Sequence, residues 1–90
     1  GPSGIRVNAI CPGAVEGARM ESVLANESKV TGLTREKIHN GYSAGTSMQT
    51  WIDAHDIAEM IVFLSSKKAR FVSGQVIAVD GDTFNPNPQI

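Results

Sequence analysis

The sequence predicts an α/β fold in which two parallel strands are joined through helices. Strand-like segments lie near both ends of this chain of 90 residues, and helical patterns fill the region between them. The later strand, predicted over residues 75–80, contains four consecutive apolar residues from Val76 to Val79. A strand without a polar face is typical of a parallel sheet that is covered on both sides. Strand, helices and strand in this order form one βαβ crossover.

The first strand is predicted over residues 5–10, which include three β-branched side chains that favour extended backbone. Pro12-Gly13 follows, and a Pro-Gly pair typically ends a strand in a turn. Cys11, at the end of this strand, is expected to be a small buried apolar residue. Two parallel strands make no stable sheet by themselves, so we expect further strands to complete it.

The strongest helical pattern covers residues 54–66, where apolar side chains such as Ile57, Ile61 and Leu64 recur at helical spacing. Asp53 stands directly before this segment, and Asp is a preferred N-cap residue. Further apolar residues widen the stripe beyond one face. We therefore expect this helix to be covered on more than one side.

Two weaker helices are predicted at about residues 16–29 and 34–42, with Gly32 between them. Their apolar residues are sparse, so we expect this region to bury little and to be mobile at the surface. The tail over residues 85–90 contains two prolines and is expected to extend neither a helix nor a central strand.

Charge and cysteine content narrow the classes of protein. Eight Lys and Arg against nine Asp and Glu give a formal net charge of −1, which argues against a nucleic-acid partner because such proteins need a basic face. No apolar run approaches the roughly 18 residues that a membrane span requires, so no membrane partner is expected. A single cysteine favours a reducing compartment, and we expect a cytoplasmic location.

Three runs of residues carry a resemblance to a known family. The run GIRVNAICPG at residues 4–13 resembles the late strand and Pro-Gly turn of the short-chain dehydrogenase/reductase family. DIA at 56–58 with FLSS at 63–66, and SGQVIAVDG at 73–81, resemble that family's last helix and last strand. The resemblance covers essentially the whole chain but only the final third of a typical member. It implies that residues 1–90 form the C-terminal βαβ portion of a single Rossmann-like domain with a doubly wound parallel sheet.

Roles are expected for two segments. Residues at about 16–50 directly follow the Pro-Gly turn and are poor in apolar side chains, so we expect them to form a lid over the substrate, and such lids close on ligand and exclude water. Residues at about 53–81 correspond to the last helix and last strand, which pack against their counterparts across a two-fold axis in this family. We therefore expect a homo-oligomer, a tetramer or a dimer, and the N-terminal part of the same domain as a further partner.

The activity implied by the resemblance is that of an oxidoreductase with NAD or NADP as cofactor, transferring hydride between nicotinamide and a carbonyl or alcohol substrate. The family's catalytic Tyr-x-x-x-Lys is absent, because Thr46 stands at the lysine spacing from Tyr42. For the Gly-rich phosphate loop, Gly41 and Gly45 give the nearest match, without a strand before them. We therefore expect the catalytic residues upstream of this chain. The two histidines lack a ligand array around them, so no metal site is expected.

The cofactor-binding residues that the resemblance implies are Pro12, Gly13, Val15 and Gly17. In open α/β sheets, ligands bind beyond the carboxyl ends of the strands, and the Pro-Gly turn lies at such an end. By resemblance, backbone N–H and C=O groups near Val15 bond the nicotinamide carboxamide.

Gly17 departs from the family pattern, since many members have Thr at this position. Either the backbone amide of Gly17 replaces the threonine hydroxyl or the contact with the cofactor is weaker. Glu16 and Arg19 are the neighbouring side chains that could substitute for the hydroxyl.

Two alternatives from other classes stay open at this point. One is a catalytically inactive relative that binds a nucleotide or a partner, which an upstream Tyr-x-x-x-Lys would argue against. The other is a free-standing interaction module made of this βαβ unit alone, which requires that the ninety residues fold as a monomer.

Overall fold

A computed structural model describes residues 1–90. The elements in chain order are β1 (Ala9–Pro12), α1 (Ala18–Thr31), α2 (Arg35–Ser43), α3 (Ala54–Ser65), a short 3₁₀ turn (Lys67–Ala69) and β2 (Val76–Val79). The two strands are parallel, with Ala9 opposite Val76 and Pro12 opposite Val79. This confirms the predicted α/β crossover. No helix here is long and apolar enough to cross a membrane.

β1 starts four residues later than the strand predicted over residues 5–10. The pairing partner of β1 sets where it starts, because β2 begins only at Val76 and Val76 lies opposite Ala9. Residues before Ala9 instead bond to the turn that precedes β2. The Asn8 amide donates to the Val72 carbonyl at 3.0 Å, and the Gly74 N–H donates to the Val7 carbonyl at 2.7 Å.

α3 matches its prediction to within one residue, because its start is defined by local chemistry. The Asp53 carboxylate accepts a hydrogen bond from the His55 N–H at 2.9 Å. The Asp56 carboxylate accepts one from the Asp53 N–H at 3.2 Å. These two hydrogen bonds form a capping box, which confirms Asp53 as the N-cap residue of α3. The capping box also fixes the direction in which the chain enters the helix from Ile52.

The sheet has only two strands, and both of its faces are less covered than the sequence predicts. α3 contacts β2 and buries Leu64, whereas Val76 is 72% exposed. Cys11 is also exposed, so the expectation that its side chain is buried is wrong. On the outer side of α3, Val62 is 65% exposed, so the second cover expected for this helix does not come from within the chain.

α1 and α2 form a helical hairpin with a small core of its own. Leu24 of α1 and Ile38 of α2 are the largest fully buried side chains in the chain, so the expectation that this region buries little is wrong at these two positions. Outside the core, the Arg35 guanidinium pairs with the Glu21 carboxylate through two nitrogens. That hydrogen-bonded pair lowers the pKa of the Glu21 carboxyl.

The C-terminal tail is hydrogen-bonded to α2 and to the turn that follows it. We call residues 84–90 the C-terminal strap. Phe84 and Asn85 both donate their N–H groups to the Gly45 carbonyl, at 3.0 and 3.2 Å, and the Gln89 N–H donates to the Gly41 carbonyl at 2.8 Å. The strap contains no helix or strand, as predicted. It connects the end of α2 to the chain that leaves β2.

Candidate functional site

The carboxyl ends of β1 and β2 lie side by side, and the predicted Pro-Gly turn is located there. The Gly13 N–H donates to the Val79 carbonyl at 3.0 Å, which continues the strand pairing by one bond. A Cβ on Gly13 would lie 2.8 Å from both the Cα and the Cβ of Asp80. Glycine is therefore required here, because any side chain would push the two strand ends apart.

The backbone of Val15 is left without a hydrogen-bond partner by the way its neighbours pair. The Ile52 N–H donates to the Ala14 carbonyl and the Glu16 N–H donates to the Ile52 carbonyl, both at 2.9 Å. In this parallel bridge the N–H and C=O of Val15 point to the other side, and neither bonds within the chain. Val15 is half-buried. Partly buried backbone groups normally find partners, so this pair can bond a ligand or water.

Gly17 precedes α1 and offers a second free donor. Its carbonyl accepts the Glu21 N–H at 3.0 Å, while its own N–H has no acceptor within the chain. No side chain caps α1. The backbone N–H of Gly17 is therefore free to bond a ligand or water.

Glu16 is already bonded to α2 and is not a free substitute for that hydroxyl. Its carboxylate lies 2.7 Å from Nε2 of His39. The His39 ring stacks on Trp51, with ring centroids 4.4 Å apart and planes 8° apart. The Trp51 indole N–H donates to the His39 carbonyl at 2.8 Å. Arg19 lies exposed on the first turn of α1.

A cleft of about 570 Å³ opens at the carboxyl ends of the strands. It is lined by the Pro-Gly turn, one face of α1, the end of α2 and the chain after β2: Pro12, Gly13, Ala14, Met20, Val23, Tyr42, Thr46, Asp80, Thr83, Asn85 and Pro86. Of the four predicted cofactor residues, Pro12 and Gly13 line the cleft. Val15 and Gly17 do not line it but follow the turn directly.

Tyr42 is a cleft residue that the sequence did not single out as functional. Its hydroxyl donates to Oε1 of Glu27 at 2.5 Å, and its ring meets Trp51 edge-on with centroids 5.5 Å apart. Burial, followed by the hydrogen bond to Glu27 and that carboxylate's charge, raises the pKa of Tyr42 to about 12. No local pattern links these residues, because Tyr42 and Glu27 lie on different helices.

No group of three or more His, Cys, Asp or Glu side chains is placed to hold a metal ion. At and beside the strand ends, the chain presents the free backbone groups of Val15 and Gly17 and the polar side chains of the cleft.

Comparison with known proteins gives one family and many relatives of similar kind. The family model described as Enoyl-(Acyl carrier protein) reductase matches residues 1–81. The chain is 34% identical over 80 residues to an L-2,3-butanediol dehydrogenase of Corynebacterium glutamicum, covering 89% of this chain and 31% of that protein. It is 40% identical over 78 residues to an inactive 2-(S)-hydroxypropyl-CoM dehydrogenase 2 of Xanthobacter autotrophicus, covering 87% of this chain and 32% of that protein. The chain thus spans about a third of the length of these curated relatives.

Solved structures match the fold over the same region. A short chain dehydrogenase family protein from Francisella tularensis superposes with a TM-score of 0.84 at 26% identity, covering 89% of this chain and 33% of that one. The actinorhodin polyketide ketoreductase, solved with NADPH, superposes with a TM-score of 0.73 at 29% identity, covering 84% of this chain and 29% of that one.

Proposed function

The chain belongs to the short-chain dehydrogenase/reductase family, and from that premise we propose that it is the C-terminal part of an NAD(P)-dependent oxidoreductase. The nicotinamide cofactor, when bound, accepts or delivers a hydride, and the substrate is a carbonyl compound or an alcohol. The residues of this chain bind and orient the nicotinamide end of that cofactor. The relatives named as dehydrogenases or reductases support this activity.

One observation carries the proposal: the unpaired N–H and C=O of Val15, beside the carboxyl ends of the strands. A carboxamide presents one acceptor oxygen and one donor NH₂ group. A free N–H and a free C=O on one residue complement both. Ligands of open α/β sheets bind at this edge, and the free N–H of Gly17 adds a donor two residues further along. The residues present therefore fit a nicotinamide amide without needing a side chain.

The test uses the full-length protein and two substitutions at Val15. Val15→Pro removes the N–H but spares the bridge to Ile52, whose bonds are made by Ala14 and Glu16. We expect it to weaken NADH and NADPH binding by about tenfold, which is one lost hydrogen bond. Val15→Ala keeps the N–H and is expected to change affinity by less than about twofold.

Fluorescence titration with each cofactor gives the dissociation constants, and circular dichroism checks that both variants are folded. If both variants bind as tightly as the wild type, Val15 does not contact the nicotinamide and the proposal loses its main support.

A catalytically inactive relative is the second candidate, and one comparison favours it. The relative that is 40% identical over 78 residues is named as inactive. An inactive relative that binds a nucleotide would also bind the cofactor, so turnover of the full-length protein separates the two candidates. A free-standing interaction module is less well supported, because a two-stranded sheet with open faces is marginally stable by itself.

We also propose that the exposed apolar faces are covered within the complete protein. Val62 and Phe63 on α3 are 65% and 45% exposed, and Val76 on β2 is 72% exposed. Exposed apolar patches commonly mark interfaces. The proposed partners are the N-terminal part of the same domain and a second copy across a two-fold axis, in a dimer or a tetramer.

We further propose that residues 16–50 form a lid over the substrate and that the protein is located in the cytoplasm.

A further inference from the structure

We propose that Tyr42 determines substrate specificity: its phenol oxygen accepts a hydrogen bond from a second hydroxyl group of the substrate, beside the carbon that is oxidised or reduced. This inference rests on the proposed function, in which the cleft at the strand ends holds the substrate. It narrows the substrate class from alcohols and carbonyl compounds in general to uncharged diols and hydroxyketones.

Tyr42 is placed at the cleft by its contact with α1. Met20 and Val23 line the cleft from α1, and Glu27 lies on the same helix one turn beyond Val23. The Tyr42 hydroxyl bonds to Glu27, and Tyr42 is the one residue of α2 that lines the cleft.

The hydrogen bond to Glu27 decides what the phenol can still do. A tyrosine hydroxyl has one proton and two lone pairs, and the proton of Tyr42 is donated to Glu27 at 2.5 Å. The oxygen can therefore only accept from a further partner. The phenol of a tyrosine is protonated at neutral pH, and burial and the Glu27 carboxylate raise the pKa of Tyr42 further, to about 12. A substrate group that meets this oxygen must be a donor, as a hydroxyl is.

The other polar groups of the cleft favour the same substrate class. No lysine, arginine or histidine lines it, and its one charged side chain is the Asp80 carboxylate. The Thr46 and Thr83 hydroxyls are already bonded to backbone carbonyls. The Asp80 carboxylate would repel a carboxylate or phosphate held beside it, whereas a neutral hydroxyl donor finds acceptors among the groups of this chain.

The C-terminal strap gives Tyr42 a fixed position. The residue lies between Gly41 and Gly45, and the carbonyls of both glycines accept N–H groups from the strap. A Cβ on Gly41 would lie 2.7 Å from Cγ2 of Ile90, so the strap packs closely on this turn of α2. Because the acceptor is held before the substrate arrives, little ordering free energy is lost on binding.

The test compares cyclohexanol with trans-cyclohexane-1,2-diol, which differ only by the second hydroxyl. Isothermal titration calorimetry on the full-length protein saturated with NADH or NADPH, which cannot oxidise an alcohol, gives both dissociation constants. We expect the wild type to bind the diol about tenfold more tightly, and Tyr42→Phe to lose that preference while its affinity for cyclohexanol changes less than about twofold. Glu27→Gln still accepts the phenol proton and is the matched control, in which the preference is retained.

The outcomes separate this inference from the proposed function. A protein that binds neither cofactor contradicts the proposed function itself. A cofactor-loaded protein that binds the two alcohols equally, or binds neither, overturns the role of Tyr42, as does a Tyr42→Phe variant that keeps the preference for the diol. Stronger binding of the anionic 2-hydroxycyclohexane-1-carboxylate than of the diol would overturn the assigned substrate class.

Discussion

Gly45 lies directly against the backbone carbonyl of Asn85, in a contact that leaves no space for a side chain at position 45. Asn85 and Phe84 in turn donate their N–H groups to the Gly45 carbonyl. One helical turn earlier, Gly41 makes a similar close contact with the end of the strap. Gly41 lies inside α2, where glycine costs free energy, and Gly45 lies two residues beyond the end of that helix. The close approach of the strap explains glycine at both positions.

The first prediction is that Gly45→Ala destabilises the protein. Its Cβ would meet a backbone oxygen, which can move away only if the strap shifts and its hydrogen bonds weaken. We expect a loss of about 1–3 kcal/mol in the free energy of unfolding, as for other overpacked sites, measured by urea denaturation of the full-length protein.

Gly41→Ala provides the control for this prediction. Its nearest clash is with the flexible Ile90 side chain, at 2.7 Å, although the Gln89 backbone oxygen is also close, at 3.1 Å. Removing residues 88–90 should remove the clash in Gly41→Ala. The helix propensity of alanine should then raise the free energy of unfolding by up to about 1 kcal/mol. The same truncation should not rescue Gly45→Ala. Equal stability of Gly45→Ala and the wild type would show that the strap does not pack as described.

The elements that the sequence predicted well are those with local causes. α3 follows from its apolar spacing and from Asp53, whose carboxylate bonds two residues away. The bounds of β1 could not be read from its own residues, because they depend on where β2 begins, 67 positions later in the paired register of Ala9 with Val76. The buried pair Leu24 and Ile38 was missed because apolar residues are few in both helices, and only the packing of α1 on α2 determines which of them are buried.

In the candidate site, too, residues in a local motif could be predicted from the sequence, whereas contacts between separate elements could not. Pro12 and Gly13 were identified from a motif and lie at the cleft. The Tyr42 hydrogen bond to Glu27 joins residues 15 positions apart on separate helices, and nothing in either helix alone predicts it. The spacing of Gly41 and Gly45, which gives the nearest match to a phosphate loop in the sequence, marks the close approach of the strap backbone.

The second prediction concerns the pH dependence of Tyr42. Its pKa is raised from 10.0 to about 12, chiefly by burial and then by Glu27, so folding favours the protonated phenol. The resulting stabilisation is fully present below the ordinary pKa of about 10 and is lost as the pH rises from there through about 12. Ring-labelled tyrosine NMR measures this titration, and the signal missing in Tyr42→Phe assigns it.

Glu27→Gln is the matched variant for this titration. It removes the negative charge but leaves the burial, so the pKa of Tyr42 should fall part of the way toward its ordinary value. A phenol that titrates at about 10 in the folded wild type would contradict both its burial and its bond to Glu27.

The third prediction concerns motion in the proposed lid. α2 is held by the strap and by the contacts of His39 with Glu16 and Trp51. α1 follows Gly17, lacks a side-chain cap and contacts the rest mainly through α2. We therefore expect backbone amides of α1 to exchange faster than those of α2, and to become slower when cofactor and substrate are both bound.

Hydrogen exchange with mass spectrometry on the full-length protein measures all three helices at once. α3 lies outside residues 16–50 and serves as the internal reference, since its protection should change less. Unchanged exchange in α1 on ligand binding would remove the lid role from this segment.

The last prediction concerns assembly through α3. Val62 is 65% exposed on α3, and Val30 is 79% exposed on α1, so the two valines differ in position rather than in exposure. If α3 packs against its counterpart across a two-fold axis, Val62→Glu places two carboxylates in one apolar contact, because each such interface contains the substitution twice. Burying an unpaired charge costs several kcal/mol. We therefore expect Val62→Glu to dissociate the full-length protein, whereas Val30→Glu leaves its mass unchanged in multi-angle light scattering.

The dissociated species must also keep its circular-dichroism spectrum, because α3 borders the open sheet and a loss of fold would dissociate the protein as well. A wild-type protein that is monomeric at micromolar concentration, or a Val62→Glu variant that keeps the wild-type mass, would place the subunit contact elsewhere or exclude it.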